Sequence, residues 1–258
     1  MYVNFDTKSL LPERTGKIKK IFIKNKLEKI GMPIKDLSLG EFDFIGEYTA
    51  KKTRSPDSEH FRTAGCFFRP NYERGLLIYS LIKKYNIESF LEIGFGRGYG
   101  ALCAAKAMQE NDKGEVYTID PSLDAKFIEH LSNIYPKEWF ERMNFFKGKS
   151  SQVYEEIADK RFDFIYIDGD HTYQGVKVDW EFAKDRFNKF ILFDDYHLPS
   201  SDGSDSTDIE CAHLIDEIED ESKELILMDR RIFFDDRRVP DKDINYGQVL
   251  LTHESLRK

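Results

Sequence analysis

Short apolar segments alternate with amphipathic segments of helical length through the middle of the chain, and this alternation limits the available folds. Five strands are predicted: SFLEIG, EVYTID, MNFFKG, FDFIYID and KFILFDDY, at 89–94, 115–120, 143–148, 162–168 and 189–196. Segments with apolar residues at helical spacing lie between them, at 101–109, 126–134, 151–158 and 175–183. This order predicts an α/β fold, in which right-handed crossovers join parallel strands and helices cover both faces of the sheet.

The C-terminal part of the chain changes this pattern. Two more strands are predicted at 224–230 and 246–253, with no helix between them, so we expect them to pair as an antiparallel hairpin. With the hairpin, the mostly parallel sheet has seven strands. A further helix is expected near 212–219 and another at 75–85, before the first strand of the sheet.

The first 70 residues lack the alternation, and we expect an N-terminal helical or lid segment next to a main domain at 71–258. Apolar residues recur there at roughly helical spacing, with lysines between them, at Ile18, Ile21, Phe22, Ile23 and Leu27. An amphipathic helix packed on the main domain is favoured over a membrane-binding or nucleic-acid-binding face. Residues 48–70 are polar and contain Pro56 and Gly65, which predicts an ordered loop or a lid.

Composition restricts the expected partners. The formal net charge of -8 argues against a nucleic-acid partner, because proteins that bind nucleic acids usually present basic surfaces. No apolar run approaches the roughly 20 residues of a membrane-spanning helix, and no apolar signal core opens the sequence, so we expect a cytoplasmic protein without a membrane partner. Cys66, Cys103 and Cys211 show no CxxC spacing, which disfavours disulfides and zinc. A homo-oligomer remains open.

A glycine-rich turn, Glu92-Ile-Gly-Phe-Gly-Arg-Gly-Tyr-Gly100, follows the first strand of the main domain. Glycines allow a sharp turn and a close approach to a ligand, although a plain strand-to-helix turn also uses them. A nicotinamide dinucleotide site needs G-x-G-x-x-G. Counted from Gly94, the third position is Tyr99, whereas counted from Gly96 it is Ala101, a tolerated variant. The glycines alone therefore leave a nicotinamide site open.

Glu92 favours a different cofactor over a nicotinamide dinucleotide, because E-x-G-x-G resembles the first motif of class I S-adenosylmethionine (SAM)-dependent methyltransferases. In that family the motif approaches the amino-acid end of SAM. The resemblance implies a Rossmann-like fold and contacts to SAM from Glu92, Gly94, Gly96 and Tyr99.

Three further residues extend the predicted cofactor site. Asp120 ends the second strand of the main domain, where a carboxylate can accept hydrogen bonds from both ribose hydroxyls. An aspartate that only caps a turn is the alternative. Gly148 and Ser150 follow the next strand, where the methyltransferase family usually places the adenine.

Two acidic clusters follow neighbouring strands of the predicted sheet, Asp168-Gly-Asp170-His171 and Asp194-Asp195-Tyr-His. Carboxylates this close repel one another unless they are protonated or hold a cation, and no basic partner is evident in the sequence. Oxygen ligands without cysteine suit Mg2+ or Ca2+ better than zinc. In the alternative interpretation, Asp168 and Asp170 cap the following helix while Asp194 and Asp195 are solvated.

The pair of segments IDGDH and FDDY resembles metal-dependent sugar O-methyltransferases of the macrocin and mycinamicin type, within the methyltransferase 24 family. The resemblance implies that Asp168, Asp194 and Asp195 bind Mg2+, and that Asp168 also borders SAM. The ion would lower the pKa of an acceptor hydroxyl, and Asp170 or His171 would accept its proton. His171 is favoured because its ordinary pKa of about 6.5 suits a base at neutral pH.

The sequence thus predicts a SAM-dependent, Mg2+-dependent O-methyltransferase that acts on a hydroxyl of a sugar or glycosylated small molecule. The alternatives are a metal-independent methyltransferase with His171 or His197 as base, and a SAM-binding protein without catalysis. A nicotinamide-dependent oxidoreductase is disfavoured because no Tyr-x-x-x-Lys pair stands in a suitable place. The acidic loop 199–211 is expected to close over the acceptor as a lid.

Overall fold

The computed structural model describes residues 18–37, 72–199, 210–228 and 246–257. The strands are β1 (Lys19–Phe22), β2 (Ser89–Ile93), β3 (Glu115–Asp120), β4 (Met143–Lys147), β5 (Phe162–Ile167), β6 (Phe187–His197), β7 (Glu224–Leu227) and β8 (Tyr246–Thr252). The helices are α1 (Ile23–Lys29), α2 (Tyr72–Tyr85), α3 (Tyr99–Glu110), α4 (Ala125–Ser132), α5 (Lys137–Phe140), α6 (Ser150–Val153), α7 (Tyr173–Ala183) and α8 (Cys211–Glu217). Short 3-10 turns lie at Ile34–Asp36 and Glu254–Leu256.

The strands form one sheet in the order β1-β7-β8-β6-β5-β2-β3-β4. Strand β8 is antiparallel to both of its neighbours, β6 and β7, whereas the other pairs are parallel. The predicted parallel sheet with an antiparallel C-terminal hairpin is therefore confirmed. The parallel strands β2 to β6 end at the same edge of the sheet, so the loops after them meet there.

Strand β1 corrects the prediction for the N-terminal segment. The residues predicted as one helix are divided between β1, which pairs with β7 in parallel, and α1, so the sheet has eight strands rather than seven. The adjacent side chains of Ile21 and Phe22 pack into the cores on opposite faces of the sheet. Successive residues of a strand point to opposite faces, which explains why two apolar residues stand side by side here.

The core has two layers, one on each face of the sheet. In β5, Phe164 and Tyr166 face the layer that contains α2 and α3, and Ile165 and Ile167 face the layer that contains α7 and α8. Both faces of the central strands are therefore covered, as parallel sheets require. Polar side chains that could take part in chemistry therefore lie at the ends of the strands.

Some of the sequence-based predictions concern residues outside the described ranges. They include the loop or lid at 48–70, most of the acidic loop 199–211, and Cys66. Cys103 and Cys211 are described, and both are buried free thiols. Among the helices of the described ranges, none is both long and apolar enough to span a membrane.

Candidate active site

A cavity of about 810 Å³ opens at the edge of the sheet where β2 to β6 end. It brings together all eight residues predicted for the cofactor: Glu92, Gly94, Gly96, Tyr99, Asp120, Gly148, Ser150 and Asp168. Asp170, His171 and Asp195 line the same cavity, whereas Asp194 does not. The predicted cofactor and catalytic residues thus share one space.

The glycine turn closes one wall of this cavity. Gly94 has a φ of +98°, a backbone conformation that residues with a side chain rarely adopt. A Cβ at this position would also overlap the carbonyl group of Asp168, so only glycine fits here. The backbone N–H of Gly94 donates to the carbonyl of Ile119 in β3 at 2.9 Å, and Asp168 donates to Ile93 at 2.8 Å. The turn therefore lies directly against the ends of β3 and β5.

Glu92 lies beneath the glycine turn and is 2% exposed. Its carboxyl group accepts a hydrogen bond from the Thr118 hydroxyl at 3.3 Å, and a Cβ on Gly100 would collide with it. Burial raises the pKa of Glu92 well above its ordinary value, and the nearby charge of Asp168 acts in the same direction. Burial therefore favours the protonated form of this carboxyl group relative to an exposed glutamate.

Asp120 connects the glycine turn to the loop after β3. One carboxylate oxygen accepts from the backbone N–H of Gly96 at 2.8 Å, and the other accepts from the N–H and the hydroxyl of Ser122, both at 2.6 Å. A carboxylate offers about four lone-pair sites, so about one is left for a ligand. A ligand with two adjacent hydroxyls would bind here if it displaced the Ser122 hydroxyl.

The two aspartates at the end of β6 have different environments, although they are adjacent in sequence. The pairing of β6 with β8 shifts register between Phe193 and Tyr196, and Asp195 has a φ of +52°. Bulges of this kind re-aim side chains at functional sites, and a left-handed non-glycine residue carries strain. As a result Asp195 lines the cavity, while Asp194 is buried beside it.

Arg74 on α2 provides a basic partner that the sequence did not reveal. Its guanidinium forms ion pairs with Asp168, at 3.0 Å from Nη1, and with Asp194. The expectation that the acidic cluster lacks a lysine or arginine partner is therefore wrong. Arg74 also lines the cavity, so part of the negative charge there is already neutralised by the protein.

Asp194 is surrounded by hydrogen-bond donors besides Arg74. The Tyr246 hydroxyl and the Gln248 amide each lie 3.0 Å from one of its oxygens, and the Tyr166 hydroxyl lies 3.1 Å from the other. Burial raises the pKa of Asp194, but Arg74 and these donors outweigh it and hold the pKa below its ordinary value. Asp194 is therefore a buried anion with protein partners.

His171 lies between the other two aspartates of the cluster. Its Nε2 is 3.5 Å from Asp168 Oδ1, and its Nδ1 is 3.3 Å from Asp195 Oδ2. The hydrogen bond with Asp168 and the charges around it raise the pKa of His171 to about 9. The expectation of an ordinary pKa near 6.5 is therefore wrong for this arrangement, in which His171 is a cation at neutral pH.

Three side chains also lie close enough together to hold a metal ion: Asp168, His171 and Asp195. One potential ligand atom from each lies within 4.8 Å of the others, and each side chain is only partly buried. Two carboxylates and an imidazole are a donor set that divalent cations accept. This set shares Asp168 and Asp195 with the predicted ligands, and it contains His171 where the prediction had Asp194.

The remaining base candidates lie at the margin of the cluster. Asp170 is exposed and accepts a hydrogen bond from the backbone of Thr172 at 3.0 Å, and Thr172 in turn caps α7. Asp170 therefore stabilises a turn, as in the capping alternative. His197 packs its ring against Tyr246, with centroids 5.1 Å apart, and is absent from the described cavity lining.

Comparison with known proteins identifies the central part of the chain. Residues 91–196 match the methyltransferase 24 family model, which describes a methyltransferase domain. The chain carries a SAM-dependent methyltransferase domain. No curated protein sequence matches the chain at a significant level. The matched residues contain the glycine turn, Asp120 and both acidic clusters, so the methyltransferase domain includes most of the cavity.

Solved structures support the fold of this methyltransferase. Cofactor-bound Rv0187 from MTB is 14% identical with a TM-score of 0.56, and the match covers 81% of this chain and 88% of that one. An O-methyltransferase from Bacillus cereus in complex with SAH is 16% identical with a TM-score of 0.50, covering 83% and 98%. The O-methyltransferase TomG from Streptomyces achromogenes, in complex with SAM, is 14% identical with a TM-score of 0.51, covering 84% and 99%. The Rossmann-like class I fold is confirmed.

Sequence reasoning missed the roles of two charged residues of the methyltransferase cavity, the partly buried Arg74 and the buried Asp179. Arg74 stands one residue before the start predicted for its helix, and nothing local shows that it points toward the strand ends. Asp179 could have been recognised in the sequence, because it interrupts the apolar stripe of α7 formed by Val176, Phe182 and Ala183. A charged residue within such a stripe deserves a search for buried partners.

Proposed function

We propose that this methyltransferase transfers the methyl group of SAM to a hydroxyl of a sugar or glycosylated small molecule, with a divalent cation bound beside the acceptor. The supporting observation is the position of Asp168, His171 and Asp195, which line the same cavity as the cofactor residues. A methyl donor and a group that activates an oxygen would then lie within one space, as an in-line transfer requires.

In this proposal Asp168 and Asp195 would hold the cation, and His171 beside them would keep a nitrogen free to accept a proton. When bound, the cation supplies Lewis-acid chemistry that lowers the pKa of the acceptor hydroxyl. Mg2+ is the first candidate because both proposed ligands are carboxylates. Asp194 instead balances the charge of Arg74 and keeps it directed toward Asp168.

The proposed base is His171, which must be neutral before it can accept a proton from the acceptor. Its pKa is raised to about 9 by Asp168 and Asp195. A cation that neutralises these carboxylates returns the pKa of the imidazole toward its ordinary value near 6.5. His171 would therefore be a competent base at neutral pH only in the loaded site.

The sugar part of the proposal rests on the resemblance of IDGDH and FDDY to the macrocin and mycinamicin type. Adjacent hydroxyls of a sugar offer two oxygens at the spacing that one cation can bind, which is compatible with a small acidic site open to the cavity. Specificity for a particular acceptor is expected to reside in segments at the cavity entrance.

The first test measures ligand binding and turnover separately. Isothermal titration calorimetry of the full chain should detect S-adenosylhomocysteine (SAH) and not NADH. Methyl transfer from labelled SAM to a panel of sugars, glycosides and catechols should stop with EDTA and return with Mg2+ or Mn2+. Binding of NADH instead of SAH would overturn the methyltransferase proposal, and transfer only to acceptors without sugar would overturn the acceptor class.

A metal-independent methyltransferase is the second candidate, and Arg74 favours it. Its ion pairs with Asp168 and Asp194 reduce the repulsion within the cluster without any metal. In that case EDTA would leave turnover unchanged, and His171 would act as the base mainly above its raised pKa of about 9. The EDTA experiment therefore separates the two candidates directly.

A further inference from the structure

A buried carboxylate on α7 also lines the cavity, next to the loop that contains Gly169 and Asp170. Asp179 on α7 is 1% exposed, yet it belongs to the cavity wall together with Gly148 and Ser150. Its helix places it between Val176 and Phe182, at positions that pack into the core. A carboxylate here is costly to bury, so its partners and its access to the cavity need an explanation.

The partners of Asp179 are hydroxyl groups. The Tyr154 hydroxyl donates to Asp179 Oδ1 at 2.6 Å, and the Ser150 side chain forms a second hydrogen bond. The Tyr154 ring stacks on Phe182 with centroids 3.7 Å apart, which fixes its hydroxyl. Burial, together with the nearby charge of Asp170, raises the pKa of Asp179 to about 6.

The surroundings of Asp179 have the features of a site for an aromatic base. Its Oδ2 lies 3.3 Å from the position that a Cβ on Gly169 would occupy, next to the end of β5. The neighbouring Val178 lines the same cavity and is 41% exposed, so an apolar side chain faces an open space. An apolar wall beside a hydroxyl and a carboxylate suits a flat ring whose edge carries an amino group.

We propose that Asp179 recognises the exocyclic amino group of the SAM adenine. The inference rests on SAM as the cofactor and adds a residue that selects adenine over other bases. With the ribose at Asp120, the base would be directed toward the segment after β4, where Ser150 lies beside Asp179 of α7. The adenine amino group has two donors, and the two hydroxyls occupy about half of the four lone-pair sites of the Asp179 carboxylate.

This arrangement predicts discrimination between two ligands that differ at one position. S-inosylhomocysteine carries a carbonyl oxygen where SAH carries the amino group, so its lone pairs would face those of Asp179. Losing a hydrogen bond to a charged or buried group lowers affinity by about 10- to 100-fold. The full chain should prefer SAH to S-inosylhomocysteine by roughly that factor in isothermal titration calorimetry.

The decisive variant is Asp179→Asn, whose amide can donate to the inosine carbonyl. The preference for SAH should fall, because the amide keeps only one acceptor for the adenine amino group and gains a donor for the inosine carbonyl. The matched control is Glu181→Gln on the exposed side of the same helix, which should keep the wild-type ratio. A carboxylate with a purely structural role would weaken both ligands equally and leave the ratio unchanged.

The wild-type measurement alone keeps the inference falsifiable if Asp179→Asn does not fold. Equal affinity of the wild type for SAH and S-inosylhomocysteine would overturn the role of Asp179 and leave the methyltransferase proposal standing. An unchanged preference in folded Asp179→Asn would do the same. Failure of the wild type to bind either ligand would overturn both the cofactor proposal and the inference built on it.

Discussion

Two buried aspartates lie at different sides of the cavity, Asp194 behind its lining and Asp179 in its wall, and the comparison shows how partners decide the charge of a buried carboxyl group. Asp194 is 2% exposed and Asp179 is 1% exposed. Arg74 and several donors hold the pKa of Asp194 below its ordinary value, whereas burial beside two hydroxyls raises the pKa of Asp179 to about 6. Equal burial therefore gives an ionic end, where Asp194 is held as an anion, and a hydrogen-bonding end, where Asp179 keeps its proton to a higher pH than an exposed aspartate.

The largest expected effect is the loss of turnover when the cation cannot bind. This loss should affect the ionic end of the cavity only. Asp195→Asn removes a carboxylate from the proposed ligand set, so turnover should fall to that of the wild type in EDTA. SAH affinity should stay unchanged, because its proposed contacts lie mainly on β2, β3 and the loop after β4. Methyl-transfer assays and calorimetry measure the two quantities, with the exposed Asp185→Asn as control. Full turnover of Asp195→Asn would remove Asp195 from the catalytic site.

The next effect concerns the base at the ionic end. His171→Ala should lower kcat by about 10²–10⁴-fold, the usual contribution of a general base. The acidic limb of the kcat–pH profile should vanish with it, since the wild-type rate rises as His171 loses its proton. SAH binding should remain at the wild-type level. A retained acidic limb in His171→Ala would assign the base to another group.

Arg74 should control the stability of the ionic end. Arg74→Met leaves Asp168 and Asp194 buried without their counter-ion, and breaking such a pair costs about 3–5 kcal/mol of unfolding free energy. Urea unfolding at neutral pH measures this loss, with the exposed Lys177→Met as control. Adding Asp194→Asn should recover part of the loss. A loss equal to that of the control would mean that Arg74 does not stabilise the cluster.

At the cofactor side, Asp120→Ala should weaken SAM binding without changing the response to Mg2+. The loss of hydrogen bonds that involve a charged group costs about 1.5–3 kcal/mol. Some of this effect would arise indirectly, because Asp120 also holds the N–H of Gly96. Ser122→Ala, which leaves the carboxylate in place, is the comparison variant. Unchanged SAM affinity in Asp120→Ala would exclude Asp120 from the cofactor site.

The smallest effect concerns pH and the hydrogen-bonding end. The pKa of Asp179 is raised to about 6 in the folded protein, against about 3.9 for an unfolded chain. The folded state therefore binds more protons between these values, and the carboxylate destabilises the fold as pH rises. At pH 7, Asp179→Asn should be more stable than wild type by about 1–3 kcal/mol, and the gain should disappear below about pH 4. A gain that persists at low pH would contradict the assignment.

Much of the central fold could be predicted because its signals are local. Strands such as Glu115–Asp120 are bounded by turns and read directly from a few residues. Strand β1 could not be read this way, because four residues with two adjacent apolar side chains fit a helix equally well. This segment is a strand because it pairs with β7, about 200 residues later, and no local sequence pattern reveals that pairing.

The candidate site divides in the same way. Asp168 and Asp195 could be brought together from the sequence, because adjacent parallel strands end at the same edge. The separation of Asp194 from Asp195 depends on a bulge, and the role of Arg74 depends on how α2 packs, 94 positions from Asp168. Such features follow from tertiary packing. Asp179 was within reach of sequence reasoning, since it interrupts an apolar stripe.

The position of β1 has a consequence for synthesis of the protein. This strand leaves the ribosome before the other strands of the sheet, but Lys19 pairs beside Glu224, so β1 must wait until β7 has emerged. Contacts between such distant positions form slowly. Meanwhile Lys19 and Lys20, both exposed, place charge on a strand that would otherwise attract other chains. Lys26 lies 2.5 Å from Glu224 on β7, so α1 docks at the same edge. We expect the edge formed by β1, α1 and β7 to be the last part of the sheet to assemble and the first to separate under mechanical force.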